Sequence, residues 1–464
     1  MLGLFGTFNI GQRALLANQQ AIEVAGHNIA NVNNPAYARQ RVMLQTSPAI
    51  DGPGGPSGSG VAVERITSIR SQILDGEMIS EASTSGSLGA QKDALQTAQA
   101  DLGEQLDAIG SPTTGLGARL SGFFSSWQAL SADPSSLTAR QSVLQNSVSL
   151  ANEFQGIDRR LTGLHTSLNT QLQTDTATAN GLLADIARLN GQIESSESGT
   201  GATANDLRDS RQQKLEQLSA LVNFDSATGT TGGVNISVGG VALVTEGVVS
   251  DRFQAYDPGS GSLMLRAESA GTALHPTSGR LAGTITSRDG GVAQLQSSID
   301  TLAATLIQQV NTLHGPGYGL NGTSGVPFFN GSGSGNIQVN TVLTADPTRV
   351  QAAAVAGAAG DNQVARGIAT LADQAQGALG GITFGQSYST AVGSIGSSLS
   401  SVTQSLADQK SVESLLGRQR SSISGVSMDE ELSDLSRYQK AYEASARLMS
   451  TVNVMLETVI NLGR

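Results

Sequence analysis

Residues 424–449 read SGVSMDEELSDLSRYQKAYEASARLM, and a long helix starts here. Ser427-Met428-Asp429-Glu430 has capping-box spacing, in which two polar side chains satisfy amide groups left without partners at a helix start. Asp429, Glu430 and Glu431 also complement the positive end of the helix dipole. Onward from there, Met428, Leu435, Tyr442, Met449 and Leu456 recur every seven residues, with Tyr438, Val452 and Val459 at the three-residue offset. A repeat averaging 3.5 residues keeps apolar side chains on one helix face, so this is a coiled-coil-like seam.

The opposite end of the chain carries a matching pattern. Phe8, Leu15, Ile22 and Ile29 are spaced by seven, flanked by Gly11, Ala25 and Val32, while Gln12, Arg13, Gln19, Gln20 and Glu23 form the polar face. Asn31, Asn33, Asn34 and Pro35 make continuation unfavourable and end the helix. The two seams can face each other. Burying four or five large side chains per helix contributes on the order of 6 to 15 kcal/mol, whereas ordering about 25 backbones costs roughly 1 to 2 kcal/mol each. The ends are therefore expected to become fully ordered only when neighbours cover them; the alternative is an ordinary terminal hairpin packed on its own domain.

Between the ends, DGPGGPSGSG at 51–60 reads as a loop or hinge. It lacks the Lys-Ser/Thr pair of a phosphate cradle. From about 85 to 222 the pattern is helical: Leu88, Leu95, Leu102 and Ile109 repeat every seven, then Ile157, Leu161, Leu164 and Leu168, then Leu207, Leu215, Leu218 and Leu221 or Val222. Gly110-Ser111-Pro112 and Ala132-Asp133-Pro134 interrupt it. Trp127, among Phe123, Phe124 and Leu130, is a core anchor by its neighbours. From 223 onward, short β-branched and alternating runs separated by Gly-Gly and Asp-Pro-Gly turns predict a β insert. Helical spacing returns with Leu295, Ile299, Leu302, Leu306, Val310 and Leu313, and again with Val392, Ile395, Leu399, Val402 and Leu406.

The expected architecture is mainly α with a small inserted β domain. Paired N- and C-terminal coiled-coil-like helices form a terminal helical domain (1–44 and 427–464), a discontinuous helical bundle forms the core domain (45–222 and 281–426), and an outer β-rich domain occupies 223–280.

The 464 residues include no cysteine, which excludes disulfides, thiolate metal sites and cysteine nucleophiles but leaves an extracytoplasmic destination open. A net charge of −11 argues against nucleic acid and anionic membranes, which need clustered Lys and Arg. The first twenty residues lack the charged start and apolar run of a cleaved signal or membrane anchor, so no membrane insertion is expected. His27, His165, His275 and His314 are scattered and without metal-ligand spacing. Glu194 and Glu197, Asp206 and Asp209, and Asp429 to Glu431 read as solvated helix faces or caps. No catalytic, cofactor or metal site emerges, and the chain is expected not to be an enzyme.

Asn28 to Gln40, NIANVNNPAYARQ, resembles the Asn-rich signature after the first helix of flagellar rod, hook and hook-associated proteins. With GRLAGTITSRDG at 279–290, NTLHGPGYGLNG at 311–322, Phe328-Phe329 and the 424–449 stretch, the chain resembles the FlgK family of hook-associated proteins. Family members usually have Thr-Pro-Gly-Tyr where this chain has Asn34-Pro35-Ala36-Tyr37, and here Asn34 can form an Asx-type turn. The chain is also short for the family, suggesting one outer β domain where longer relatives carry two. The resemblance implies a structural adaptor joining hook to filament and needed for filament assembly, located outside the cell in the flagellum. It implies export without a cleaved signal through the flagellar type III apparatus. The implied partners are further copies in a ring, the hook protein, the next hook-associated protein, and an export chaperone on the C-terminal helix. The implied assembly residues are Phe8, Leu15, Ile22, Ile29, Asn31, Pro35, Tyr37, Arg39, Leu435, Tyr438, Tyr442, Met449, Val452 and Leu456. Two alternatives stay open: another axial subunit (hook, rod or flagellin-like), or a surface carbohydrate-active protein with its function in the β insert.

Overall fold

The computed structural model describes residues 3–52, 55–103, 114–199 and 202–462. Helix α1 (Leu4–Ala30) ends where the Asn31 side chain turns back and donates to the His27 carbonyl at 3.0 Å. Ala36 N–H then donates to Asn34 Oδ1 at 3.1 Å, an Asx-type turn. Among the described residues the non-glycine with positive φ is Glu246, so Ala36 stays out of the left-handed region and the turn needs no glycine. Strands β1 (Gln40–Thr46), β2 (Ile50–Gly52), β3 (Gly55–Ser57) and β4 (Val61–Ser68) follow; β1 pairs antiparallel with β4, and β2 with β3. Periodicity assigned no strand here. Strand β1 is mostly exposed and so lacks the alternation that burial imposes, and part of the glycine-rich stretch is paired backbone rather than an open loop.

Four helices come next: α2 (Gln72–Asp101), α3 (Gly115–Ala132), α4 (Leu137–Glu197) and α5 (Asn205–Leu221). The hydroxyl of Ser71 caps α2 and that of Ser136 caps α4, each accepting an N–H three residues on. The expected break at Asp133-Pro134 separates α3 from α4, while Ile109 and Gly110-Ser111-Pro112 lie outside the described residues. At 61 residues α4 is about 90 Å long. That length lets one helix serve two cores.

The first core joins the N-terminal half of α4 (Val143, Phe154, Ile157, Leu161) to Phe123, Phe124 and Trp127 of α3 and to residues from the far half of the chain. The second joins Leu172, Leu183 and Ile186 of α4 and Leu215 and Leu218 of α5 to strands. Those strands are β5 (Asp225–Thr228), β6 (Val234–Val238), β7 (Val241–Thr245) and β8 (Val248–Val249), paired in that order, and β9 (Phe253–Tyr256), β10 (Met264–Ala267) and β11 (Ala273–Leu274), with β10 central. Ile236, Leu243, Val244 and Leu265 are their buried faces.

Helix α6 (Gly279–Ser287) leads from the strands through a π-helical turn (Arg288–Val292) into α7 (Ala293–His314). The GRLAGTITSRDG motif makes this crossing possible. A Cβ on Gly283 would sit 2.3 Å from the Ser87 carbonyl of α2, and one on Gly279, whose φ is +86°, would sit 2.5 Å from the Leu221 carbonyl of α5. Arg288 is fully buried and donates to Asn169 Oδ1 and the Leu263 carbonyl, each at 2.7 Å, pinning α4 to the strands.

The first core is completed by β12 (Phe329–Asn330), β13 (Gln338–Val339), α8 (Thr341–Ala345), α9 (Gln363–Thr370) and α10 (Phe384–Ser424). Trp127 has no exposed surface and lies 5.2 Å from Phe328 and 6.2 Å from His314, ring centre to ring centre, as befits a core anchor. Helix α11 (Met428–Leu462) closes the chain and packs against α1. The Ser427 carbonyl accepts the Glu431 N–H at 3.0 Å, so Ser427 stands at the helix start. Glu430, however, directs its carboxylate to Arg39 rather than to a capping box. The reciprocal box forms instead at Thr383 and Gln386 of α10.

Candidate assembly interface

The two terminal helices meet along a face of small residues. Gly11, Ala17, Ala21, Val24 and Ala25 are the buried apolar positions of α1, while Phe8, Leu15, Ile22 and Ile29 lie half-buried beside them. A Cβ on Gly11 would approach Met449 Cγ to 2.9 Å, so glycine allows α11 to lie close. On α11, Leu435, Tyr438, Tyr442, Met449 and Leu456 are half-buried and Val452 is buried. The seam is therefore real but lopsided: small side chains are sealed, large ones only partly.

Much apolar surface remains uncovered on this pair. Phe5 is 74% exposed, Leu462 80% and Ile460 63%; Leu16, Leu432, Leu448, Val454, Met455 and Val459 are exposed as well. Covering nine such side chains, each already partly shielded, would contribute on the order of 10 kcal/mol. A monomer gains none of that. Exposed apolar patches of this extent mark interaction surfaces.

Where the pair meets the core, a polar clasp takes over. Asn28 is buried at the end of α1, and its Nδ2 donates to the Gln40 carbonyl at 2.9 Å and to Glu431 Oε2 at 3.0 Å. Its Oδ1 accepts from the Tyr37 hydroxyl at 2.7 Å and the Gln40 N–H at 3.0 Å. Arg39 reaches α11, with Nε 2.6 Å from Glu431 Oε1 and Nη1 2.7 Å from Glu430 Oε2. On the other side the Ala38 N–H donates to Asp209 Oδ2 at 2.8 Å, Arg70 Nε to Asp209 Oδ1 at 3.0 Å, and Gln40 Nε2 to Asp206 Oδ1 at 2.7 Å. The segment after α1 is thus bolted to α11 and to α5 together.

Electrostatics follow from this crowding. Burial, reinforced by the carboxylates of Asp206, Asp209 and Glu431, holds the Tyr37 hydroxyl far above its usual range and so protonated. For Arg39, burial pulls the guanidinium down, but Glu431 and Glu430 outweigh it and raise the value. Burial raises Asp209 despite the opposing N–H of Ala38 and charge of Arg70.

Tyr37 and Arg39 are joined within the clasp. Asn31 and Pro35 line a groove of about 620 Å³ that runs beside the clasp, sharing Tyr37 and Arg70 with it and reaching Arg418 and Arg420. Two expectations require correction. Asp209 and Glu431 are 4% and 2% exposed, not solvated helix faces, because Arg70 and Arg39 neutralise them and let them be buried. Asn28, Gln40, Arg70 and Asp206 belong to the arrangement yet no spacing singles them out, since each also has a partner over a hundred positions away.

Comparison with known proteins supports the same picture. Residues 104–329 match the family model described as the flagellar hook-associated protein FlgK helical domain, and residues 418–462 match that of the flagellar basal body rod FlgEFG protein C-terminal region. These matches define a structural protein of the flagellar axis. Within that class the chain is similar to the FlgK proteins, whose helical-domain model spans just under half of it. Flagellar hook-associated protein 1 of Salmonella typhimurium is 24% identical over 556 residues, covering 98% of this chain and 99% of the relative. The Bacillus subtilis protein of the same name is 26% identical over 514 residues, covering 99% of each. The first alignment is longer than this chain, so that relative carries segments absent here. The solved structure of the flagellar hook junction protein FlgK from Burkholderia pseudomallei shares the fold with a TM-score of 0.66 at 14% identity, covering 75% of this chain and all of that one.

Proposed function

We propose that this chain is the adaptor between hook and filament, a structural part on which the filament is built rather than a catalyst. The observation that carries this is the unequal burial of the terminal pair: a sealed seam of small residues, an open apolar face, and a clasp that ties both to the core. Such a face is suited to heterologous contacts with further copies around a lattice. The family relatives are named hook-associated proteins, which agrees with this role.

In the assembled state the terminal helices would form the inner wall, the helical bundle the surrounding layer, and the β strands the outside. The boundaries at 44/45, 222/223, 280/281 and 426/427 remain our division of these layers. The seam residues and Asn31, Pro35, Tyr37 and Arg39 would be the assembly contacts. The hook protein would lie below and the next hook-associated protein above, with an export chaperone on α11 before assembly and passage through the flagellar type III apparatus. Deleting the gene should leave hooks without filaments and release flagellin into the medium. Filaments of normal length would overturn the proposal, and long tubes formed by the purified protein alone would instead favour a hook or flagellin-like subunit.

A further inference from the structure

Arg140, in the second turn of α4, is 1% exposed. Its Nε and Nη2 donate to the Pro134 carbonyl at 3.2 and 2.6 Å, and Nη1 donates to the Val350 carbonyl. A guanidinium has five N–H groups, so two remain uncommitted. Among the described residues no carboxylate lies within ion-pair distance of it. The carboxylates of the adjoining loops are engaged elsewhere, Asp346 with Thr348 and Arg349, and Asp361 with the N–H groups of Ala354, Val355 and Gln363. Burial alone lowers the Arg140 value to about 10, which leaves it charged at neutral pH.

A buried cation without a counter-charge is costly, and a cavity adjoins this one. It measures about 40 Å³ and is lined by Arg140, Tyr318 and the loop carrying Gly357 and Ala359. About 10 to 15 Å³ of such space admits one water, so a halide or formate-sized body fits. Tyr318 is half-buried, with no protein partner for its hydroxyl among the described residues, and Gly357 and Ala359 lie on an exposed loop at the rim. The cavity therefore sets one buried positive charge beside a half-buried hydroxyl, with a solvent-facing loop at its rim.

We propose that this cavity is a binding site for a small monovalent anion, of the halide or formate class, which neutralises Arg140 and ties the 355–359 loop to α4. The site lies in the helical core, away from the terminal pair, and does not depend on the proposed adaptor role.

The test uses the full-length protein. Crystals soaked in sodium bromide should show an anomalous peak within hydrogen-bond distance of the Arg140 guanidinium. Thermal unfolding at fixed ionic strength, exchanging sodium gluconate for sodium chloride, should show a Tm rise that saturates, because the larger anion cannot enter. Tyr318→Phe keeps the ring and loses one donor, so its chloride affinity should fall about fivefold, as expected for one neutral hydrogen bond. Arg140→Met should abolish the chloride response, and if it fails to fold, the Tyr318→Phe shift and the bromide peak still decide. No bromide at the cavity, or a chloride response that rises linearly and is unchanged in Tyr318→Phe, would overturn the proposal.

Discussion

The aromatic core around Trp127 and the terminal pair α1–α11 are both built from helices, yet they bury opposite kinds of side chain. In the core, Phe123, Trp127, Phe154, Phe328 and Phe384 are fully enclosed. In the terminal pair, Gly11, Ala17 and Ala21 are enclosed, and Phe5, Ile460 and Leu462 face outward. A core that hides its large apolar groups is self-sufficient. A pair that hides its small ones keeps its apolar surface for neighbours.

If that contrast is right, Trp127→Ala should cost about 3 to 5 kcal/mol, read as a lowered urea midpoint of the isolated protein. The same core should be acid-labile through His314. Burial lowers its value to about 4, with Nδ1 at the Val326 carbonyl and Nε2 accepting the Gln351 N–H. The unfolded chain takes up a proton near pH 6.5 and the folded one only near 4. Stability is therefore intact above pH 6.5 and lost as pH falls through the window down to about 4. The loss is about 3 kcal/mol, and a His314→Gln variant should flatten it in denaturant titrations across that range.

The clasp comes next in size. Glu431→Gln leaves Arg39 without its closest charge and should cost about 2 to 3 kcal/mol, concentrated in α11. Hydrogen exchange should then quicken in α11 and the end of α1 while the Trp127 core stays protected; uniform quickening would erase the distinction between the two regions. The smallest monomer effect belongs to the open face. Ile460→Ser should change monomer stability by less than about 0.5 kcal/mol and still impair filament assembly, scored by motility and by electron microscopy of cells. Normal motility would mean that this face is not the one neighbours cover.

Legibility in the sequence follows the same divide. The seven-residue repeats announced both terminal helices and their pairing, and the aromatic cluster at 123–130 announced the core, because burial periodicity is local. Strand β1 leaves no such period in the sequence, being exposed on most of its length. Capping-box spacing points to Ser427, but Thr383-Phe384-Gly385-Gln386 makes the box, since a motif competes with tertiary partners and Arg39 takes Glu430. Glycine spacing in GRLAGTITSRDG carried family resemblance, but its role in letting α6 cross α2 and α5 shows only in the packing.

By itself, then, the sequence determined the helical seams, the helix stops at Asn31 to Pro35, the strand-rich run after 223, and the family likeness. Each rests on neighbours within a few turns of chain. Only the tertiary structure decided that small residues are sealed and large ones left open, that Asp209 and Glu431 are buried, and that Asn28 joins Gln40 to Glu431. Those outcomes depend on residues more than a hundred positions apart arriving at one place, where a charge is tolerated in the interior only because its partner arrives with it.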